Sequence, residues 1–142
     1  MIIRSMNEKD IPRVCEIENA TFSQPWKRED FISSINNPNN IYLVVEDEGK
    51  VIAYCGLWNI VGVGHINNVA VDKEYQHRGI AYRMLSKLIV KARFQSINSF
   101  TLEVRISNKR AINLYEKLGF KSVGIRPNFY EMPREDGMIM WM

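Results

Sequence analysis

The chain has 142 residues, enough for one hydrophobic core and too few for two domains of ordinary size. Hydrophobic residues make up 46% of the sequence and charged residues 25%, a balance that excludes disordered and fibrous chains. The 19 basic and 16 acidic side chains leave a net charge of +3, and no run of like charge resembles a nucleic-acid-binding arm.

The sequence carries no recognisable targeting or membrane segment. The apolar start at residues 1–5 breaks into charge at residues 7–10, and no later window is long enough to span a bilayer. We therefore expect a cytoplasmic protein without a membrane partner.

Cys15 and Cys55 lie in apolar surroundings and lack metal-ligand spacing, which predicts buried, reduced thiols.

The first half of the chain predicts two helices and then a β-rich region. After a short strand at residues 2–5, Asp10 is expected to cap a helix that tolerates Pro12 in its first turn. A second short helix follows the corner at Trp26 and ends in a turn-rich asparagine segment. Three β-rich runs come next, the first two joined by a hairpin signal: residues 41–46, 51–60 and 66–71.

The second half alternates between helices and strands. From Gly79 the apolar residues recur at helical spacing, and residues 100–106 then alternate as a strand. A helix over residues 108–118 is closed by Gly119 as a left-handed cap, and two strands near residues 120–125 and 138–141 end the chain.

This order of elements predicts the fold class. We expect an α/β (α+β) protein with a central mixed, mostly antiparallel sheet of about seven strands and about four flanking helices. The strand–helix–strand stretch 66–106 is its one clear parallel unit. No linker divides the chain, so residues 1–142 are expected to form a single domain.

The stretch 69–81 has the layout of an anion-binding turn. It is a strand, a polar loop and a helix start, which aims free N–H groups and the positive end of a helix dipole at one spot. Gly79 lets the backbone approach a pyrophosphate closely, and His77 and Arg78 can add side-chain donors. An ordinary loop glycine before a helix explains the spacing equally well, and no P-loop or complete dinucleotide fingerprint is present.

This turn also matches a family signature. Members of the GNAT superfamily of N-acetyltransferases carry Gln/Arg-x-x-Gly-x-Gly/Ala at the turn that binds the pyrophosphate of acetyl-CoA. The corresponding residues of this chain are Gln76-His77-Arg78-Gly79-Ile80-Ala81. His77 stands where related enzymes often have glycine, and the signature permits Ala81.

A second, more specific match places the chain nearer one branch. Residues 102–108 and 111–120 resemble the RimI branch, the bacterial ribosomal-protein alanine N-acetyltransferases. The same resemblance extends to Pro25-Trp26 and residues 136–140. The sequence is therefore identified as a RimI-like member of the GNAT superfamily over nearly its whole length.

The resemblance implies acetyl-CoA as the cosubstrate. Backbone groups of Val69 and Val71 would pair with the pantetheine arm as though it were another strand. The full set that the resemblance implies for acetyl-CoA binding is Val69, Ala70, Val71, His77, Arg78, Gly79, Ile80, Ala81, Tyr82 and Asn108. His65 has no second ligand at metal spacing, so we expect a structural role for it and no metal.

Two residues carry the expected chemistry. Alternation predicts that Glu103 faces away from the apolar side of its strand, as a solvated residue would. The resemblance makes Glu103 the general base, acting directly or through a water. Periodicity predicts that Tyr115 is a core tyrosine, whereas the resemblance makes it the acid that protonates the departing thiolate. Asn108 can cap its helix and still bind the pantetheine arm.

The resemblance implies acetylation of a protein N-terminus, which in this branch is the N-terminal alanine of a small-subunit ribosomal protein. The partner would then be an N-terminal peptide, in a groove for which Trp26, Phe129 and Tyr130 are candidates. Trp26 is equally explained as a core anchor, and Phe129-Tyr130 replaces the tyrosine pair common in the branch. We expect a monomer or weak dimer without a direct nucleic-acid partner.

Two alternatives to this function remain open from the sequence. The first is an acetyltransferase for another amine: another protein N-terminus, a lysine, a polyamine or an antibiotic. The second is a non-catalytic coenzyme A-binding module, against which the presence of both Glu103 and Tyr115 argues.

Overall fold

The computed structural model describes residues 1–142 and contains one seven-stranded sheet flanked by four α-helices. The strands are β1 (Ile2–Ser5), β2 (Ile41–Asp47), β3 (Lys50–Ile60), β4 (Val63–Val71), β5 (Ser99–Arg105), β6 (Lys121–Glu131) and β7 (Arg134–Trp141). The helices are α1 (Ile11–Thr21), α2 (Arg28–Asn36), α3 (Ile80–Phe94) and α4 (Lys109–Leu118). Short 3₁₀ turns lie at Glu8–Asp10 and Lys73–Tyr75. The predicted fold class is confirmed.

The sheet is antiparallel except at one place. Its strand order is β1-β2-β3-β4-β5-β7-β6, and only β4 and β5 run parallel. Helix α3 makes the crossover between these two strands, as parallel neighbours require. The parallel unit expected at residues 66–106 is therefore confirmed.

Each face of the sheet supports its own apolar cluster. On one face α3 and α4 cover Leu43, Phe100 and their neighbours, and on the other α1 and α2 cover Tyr42 and Tyr54. Because both faces are covered, the central strands read as continuous apolar runs, and every residue from Ile41 to Val45 is buried.

The start of α1 differs from its prediction. Asp10 precedes this helix but does not cap it, because its carboxylate accepts hydrogen bonds from the Asn7 N–H at 2.8 Å and from the Arg4 guanidinium at 2.8 and 2.9 Å. The bond from the Asn7 N–H completes a capping box on the 3₁₀ turn Glu8–Asp10, which precedes α1. At the other end of the chain, Gly119 ends α4 with a φ of 109°, as predicted.

The last two strands are longer than the sequence indicated. Strand β6 lies at the edge of the sheet and most of its side chains are exposed, so it lacks the alternation that marks a half-buried strand. Its register with β7 also shifts twice.

Both cysteines are free thiols, with Cys55 buried and Cys15 half-buried. None of the helices has the length and apolarity needed to cross a membrane.

Candidate active site

The site begins where β4 and β5 separate. Their pairing covers only Val63 to His65 against Ser99 to Thr101, and beyond it the two strands diverge. A bulge accompanies this divergence: Gly56 and Leu57 of β3 pair with Asn68 and Ile66, so Asn67 has no partner. An extra residue bends a strand and increases its twist. The space between the ends of the two strands is here called the β4–β5 cleft.

The cleft leads to a turn with free backbone donors. None of the N–H groups from residue 76 to residue 82 donates to a protein acceptor. The first hydrogen bond of α3 runs from the Arg83 N–H to the Gly79 carbonyl at 3.2 Å. Free donors at the start of a 15-residue helix suit an anionic group, since they point along the positive end of the helix dipole.

The shape of this turn depends on two left-handed residues. His77 has a φ of 68° and Gly79 a φ of 75°. A Cβ on Gly79 would meet nothing within 4 Å, so glycine is needed there for its backbone conformation. The Gln76 amide donates to the Val71 carbonyl at 3.1 Å and holds the turn against the end of β4.

The basic side chains of the turn are already engaged. Arg78 lies over the Tyr75 ring at 5.1 Å and donates to the Glu74 carbonyl at 3.2 Å, so it folds back toward the preceding 3₁₀ turn. The His77 ring lies 3.2 Å from the Arg110 guanidinium near the start of α4. The N-terminal ends of α3 and α4 therefore lie side by side at the mouth of the cleft.

Asn108 caps α4 as expected. Its side-chain oxygen accepts a hydrogen bond from the Ala111 N–H at 3.1 Å, and its amide N–H groups donate to no protein acceptor. The other predicted cofactor residues line the end of β4 and the first turn of α3. Ala70 and Ile80 are buried there, so they can offer only backbone groups to a ligand.

Glu103 projects from β5 between two buried neighbours. Leu102 is 2% exposed and Val104 5% exposed, whereas the Glu103 side chain keeps 30% of its surface accessible. Its carboxylate lies 3.8 Å from the guanidinium of Arg126, which is itself more than half exposed. The alternation predicted for this strand is confirmed, and Arg126 is a neighbour that the sequence did not indicate.

Tyr115 lies in the apolar cluster beneath α4 and is only 8% exposed. Its ring meets Phe120 edge-on at 6.0 Å. The hydroxyl makes no hydrogen bond to the protein. Because every fully buried side-chain nitrogen or oxygen has a hydrogen-bond partner, the unpaired Tyr115 hydroxyl must be accessible to solvent. Burial raises the pKa of Tyr115, and its phenol stays protonated at neutral pH.

Tyr130 of β6 lies close to both candidate catalytic groups. Partial burial and the Glu103 charge raise the pKa of Tyr130 to about 12, although Arg105 opposes this. Tyr130 in turn contributes to the raised pKa of Tyr115. The Arg105 guanidinium lies over the Tyr130 ring at 4.4 Å. The sequence indicated Tyr130 only as a candidate for the peptide groove.

Trp26 belongs mainly to the apolar cluster under α1 and α2. Its ring lies 5.2 Å from Phe31 and 6.0 Å from Trp58, which favours the core-anchor interpretation. The loop that contains it also reaches the turn between β6 and β7, because the Ser23 hydroxyl donates to the Met132 carbonyl there.

No group of three or more histidine, cysteine, aspartate or glutamate side chains is arranged to hold a metal ion. His65 lies half-buried on β4, in the short stretch that pairs with β5.

Comparison with known proteins identifies the family. The family model described as "Acetyltransferase (GNAT) family" matches residues 11–120. A relative from Bacillus subtilis is 35% identical over 141 residues, covering 99% of this chain and 93% of its own. The ribosomal protein bS18-alanine N-acetyltransferase of Escherichia coli strain K12 is 34% identical over 142 residues, covering 97% of this chain and 94% of its own.

A solved structure gives the same result. The crystal structure of the ribosomal-protein-S18-alanine N-acetyltransferase from Escherichia coli superposes with a TM-score of 0.91 at 32% identity. The match covers 99% of this chain and 92% of that one. The chain described here therefore belongs to the GNAT family of acetyltransferases.

Proposed function

We propose that this protein transfers the acetyl group of acetyl-CoA to the N-terminal α-amine of a protein, and that the acceptor is the N-terminal alanine of a small-subunit ribosomal protein. Its Escherichia coli relative is named as an alanine N-acetyltransferase of ribosomal protein bS18, which supports this acceptor. The observation that carries the proposal is the β4–β5 cleft, which has free N–H donors at one end and Glu103 on its β5 wall.

The residues around the cleft fit acetyl-CoA as the acetyl donor. A pyrophosphate suits the free N–H groups of residues 76–82 at the positive end of α3. The edge of β4 that β5 leaves unpaired, at Val69 and at the N–H of Val71, suits the amides of a pantetheine arm. The spare donors of Asn108 lie at the N-terminus of α4. Acetyl-CoA bound in this way supplies the activated thioester.

Gly79→Ala is expected to weaken acetyl-CoA binding. Alanine at this left-handed φ costs roughly 1–2 kcal/mol, and relaxing that strain would turn the N–H groups away from the pyrophosphate. We expect the KM for acetyl-CoA to rise about tenfold, equivalent to ~1.4 kcal/mol of binding. Initial rates at varied acetyl-CoA concentration measure this change.

Gly49→Ala is the matched control for that substitution. Gly49 has a φ of 80° and equally open surroundings, but it lies in the hairpin between β2 and β3. It should lose similar stability and keep its KM for acetyl-CoA. Equal KM values for the two variants would contradict the assignment of the turn.

The proposed chemistry divides between Glu103 and Tyr115. Glu103 takes a proton from the acceptor ammonium, directly or through a water, and the neutral nitrogen attacks the thioester carbonyl carbon. The C–N bond forms and the C–S bond breaks. Tyr115 gives its proton to the departing thiolate. The nitrogen carries one surplus proton after the attack and releases it to restore the Tyr115 phenol, while Glu103 passes the first proton to solvent. The Glu103 side chain keeps 30% of its surface accessible, which suits contact with an incoming amine.

The pKa of the acceptor favours an α-amine over a lysine. An α-amine titrates near ~8 and a lysine side chain near ~10.4, so at pH 7 roughly a tenth of α-amines but under about a thousandth of lysines are neutral. A larger fraction of the acceptor is therefore already neutral at a protein N-terminus, which a single carboxylate base suits better than a lysine side chain.

A panel of acceptors tests the proposed function. The panel contains peptides that differ only in their first residue, a lysine-bearing protein, spermidine and an aminoglycoside, each offered with acetyl-CoA. We expect thiol release to be fastest with an alanine-starting peptide. Preference for a small amine would overturn the acceptor class, and no thiol release with any acceptor would favour a binding module.

A further inference from the structure

We infer that Glu18 is a positioning residue for the acceptor: its buried carboxylate holds the loop at residues 22–27, which borders the acceptor side of the site. The inference rests on the proposed function. Glu18 is 3% exposed near the end of α1, and none of the ion pairs in the protein involves it. A buried carboxylate without a cation is costly unless hydrogen bonds satisfy it.

Two hydrogen bonds, one to each oxygen, satisfy the buried Glu18 carboxylate. One oxygen accepts from the Trp26 backbone N–H at 2.9 Å, and the other accepts from the Tyr54 hydroxyl on β3. The backbone carbonyl of Glu18 also accepts from the Phe22 N–H at 3.0 Å. Glu18, near the end of α1, thus contacts both ends of the 22–27 loop and ties them to Tyr54 of the sheet.

The loop reaches the face of the sheet onto which Glu103 projects. On β5, Leu102 and Val104 point into the cluster under α3 and α4, so Glu103 and Arg105 point to the opposite face. There the Arg105 guanidinium donates to the carbonyls of Met132 and Pro133 at 3.1 and 2.8 Å.

One backbone carbonyl connects the 22–27 loop to β5. The Met132 carbonyl accepts from Arg105 and also from the Ser23 hydroxyl of the loop. A chain of contacts therefore runs from Glu18 through the loop to Met132 and on to the strand that carries Glu103. The free N–H donors of the turn at residues 76–82 belong to the start of α3, which packs on the other face of the sheet, so we place the acceptor on the face that carries the loop.

Glu18→Ala tests the inference. Removing the carboxylate frees the Trp26 N–H and loosens the loop, so we expect the KM for an alanine-starting peptide to rise about tenfold. The KM for acetyl-CoA should stay unchanged, because no hydrogen bond joins the turn at residues 76–82 to this network. Glu18→Gln keeps an oxygen for the Trp26 N–H and should restore much of the peptide KM.

A matched control separates positioning from general loss of stability. Val14→Ala removes buried packing from the same helix but leaves the Glu18 hydrogen bonds in place. It should lower Tm and leave both KM values unchanged. Hydrogen exchange adds a readout that needs no acceptor: residues 22–27 should exchange faster in Glu18→Ala, and residues 76–82 should not.

The outcomes decide the inference separately from the proposed function. Unchanged exchange at residues 22–27, or faster exchange with an unchanged peptide KM, would overturn it, and so would equal rises in both KM values. If the wild-type enzyme acetylates a different amine, the proposed function fails and the same KM comparison is made with that amine.

Discussion

Glu103→Gln is expected to lower the turnover of an alanine-starting peptide by about a hundredfold or more, the usual contribution of a general base. Glutamine has nearly the same shape, and Glu103 is part of no buried network, so the fold should be unaffected. The affinity for coenzyme A should also be retained, because the donor turn lies on a different strand and helix. Single-turnover rates and coenzyme A titration measure the two quantities.

Arg126→Gln is the control that separates base from ion-pair partner. If Glu103 served only to hold Arg126, removing either partner would have the same effect on turnover. We expect the Arg126 variant to lose far less activity, because its contact with Glu103 is long, at 3.8 Å, and exposed pairs contribute little. Equal losses in the two variants would contradict the role of Glu103.

Tyr115→Phe is expected to lower turnover by about a hundredfold while leaving stability nearly unchanged. The phenylalanine ring keeps the edge-on contact with Phe120, and the lost hydroxyl has no hydrogen-bond partner in the protein. Because burial raises the pKa of Tyr115, the wild-type phenol is protonated throughout the neutral range and can act as a donor. Turnover and Tm measure the two effects.

Tyr42→Phe should show the opposite pattern. The Tyr42 hydroxyl donates to the Asn68 side-chain oxygen at 2.8 Å in the buried cluster under α1 and α2. Losing it leaves a buried acceptor unsatisfied and costs about 1–3 kcal/mol of stability. A Tyr115→Phe variant that loses stability but keeps its turnover would show that Tyr115 is a core tyrosine only.

Much of the fold could be predicted from the sequence because it depends on local patterns. Hydrophobic period and glycine position indicated the hairpin at Gly49, the start of α3 after Gly79 and the cap at Gly119, and all three are present. These features depend on residues close together in the chain. The edge strand β6 was underestimated because exposed residues on both of its faces remove the alternation.

The candidate site was less accessible to sequence reasoning because its geometry depends on distant residues. The bulge at Asn67, which accompanies the opening of the β4–β5 cleft, carries no glycine or proline signal. Periodicity alone described Tyr115 as a core residue and Glu103 as a solvated one, and it is the family resemblance that gives them catalytic roles. The ties of Glu18 to Tyr54 and of Ser23 to Met132 span 36 and 109 residues, beyond the reach of local patterns.

The most direct test of acetyl transfer to a protein N-terminus uses one peptide that offers both kinds of amine. The peptide begins with a free alanine, contains an internal lysine and is incubated with acetyl-CoA and the wild-type enzyme at pH 7. Tandem mass spectrometry then locates the acetyl group. We predict acetylation of the alanine α-amine alone, and acetylation of the lysine side chain alone would contradict the proposed function.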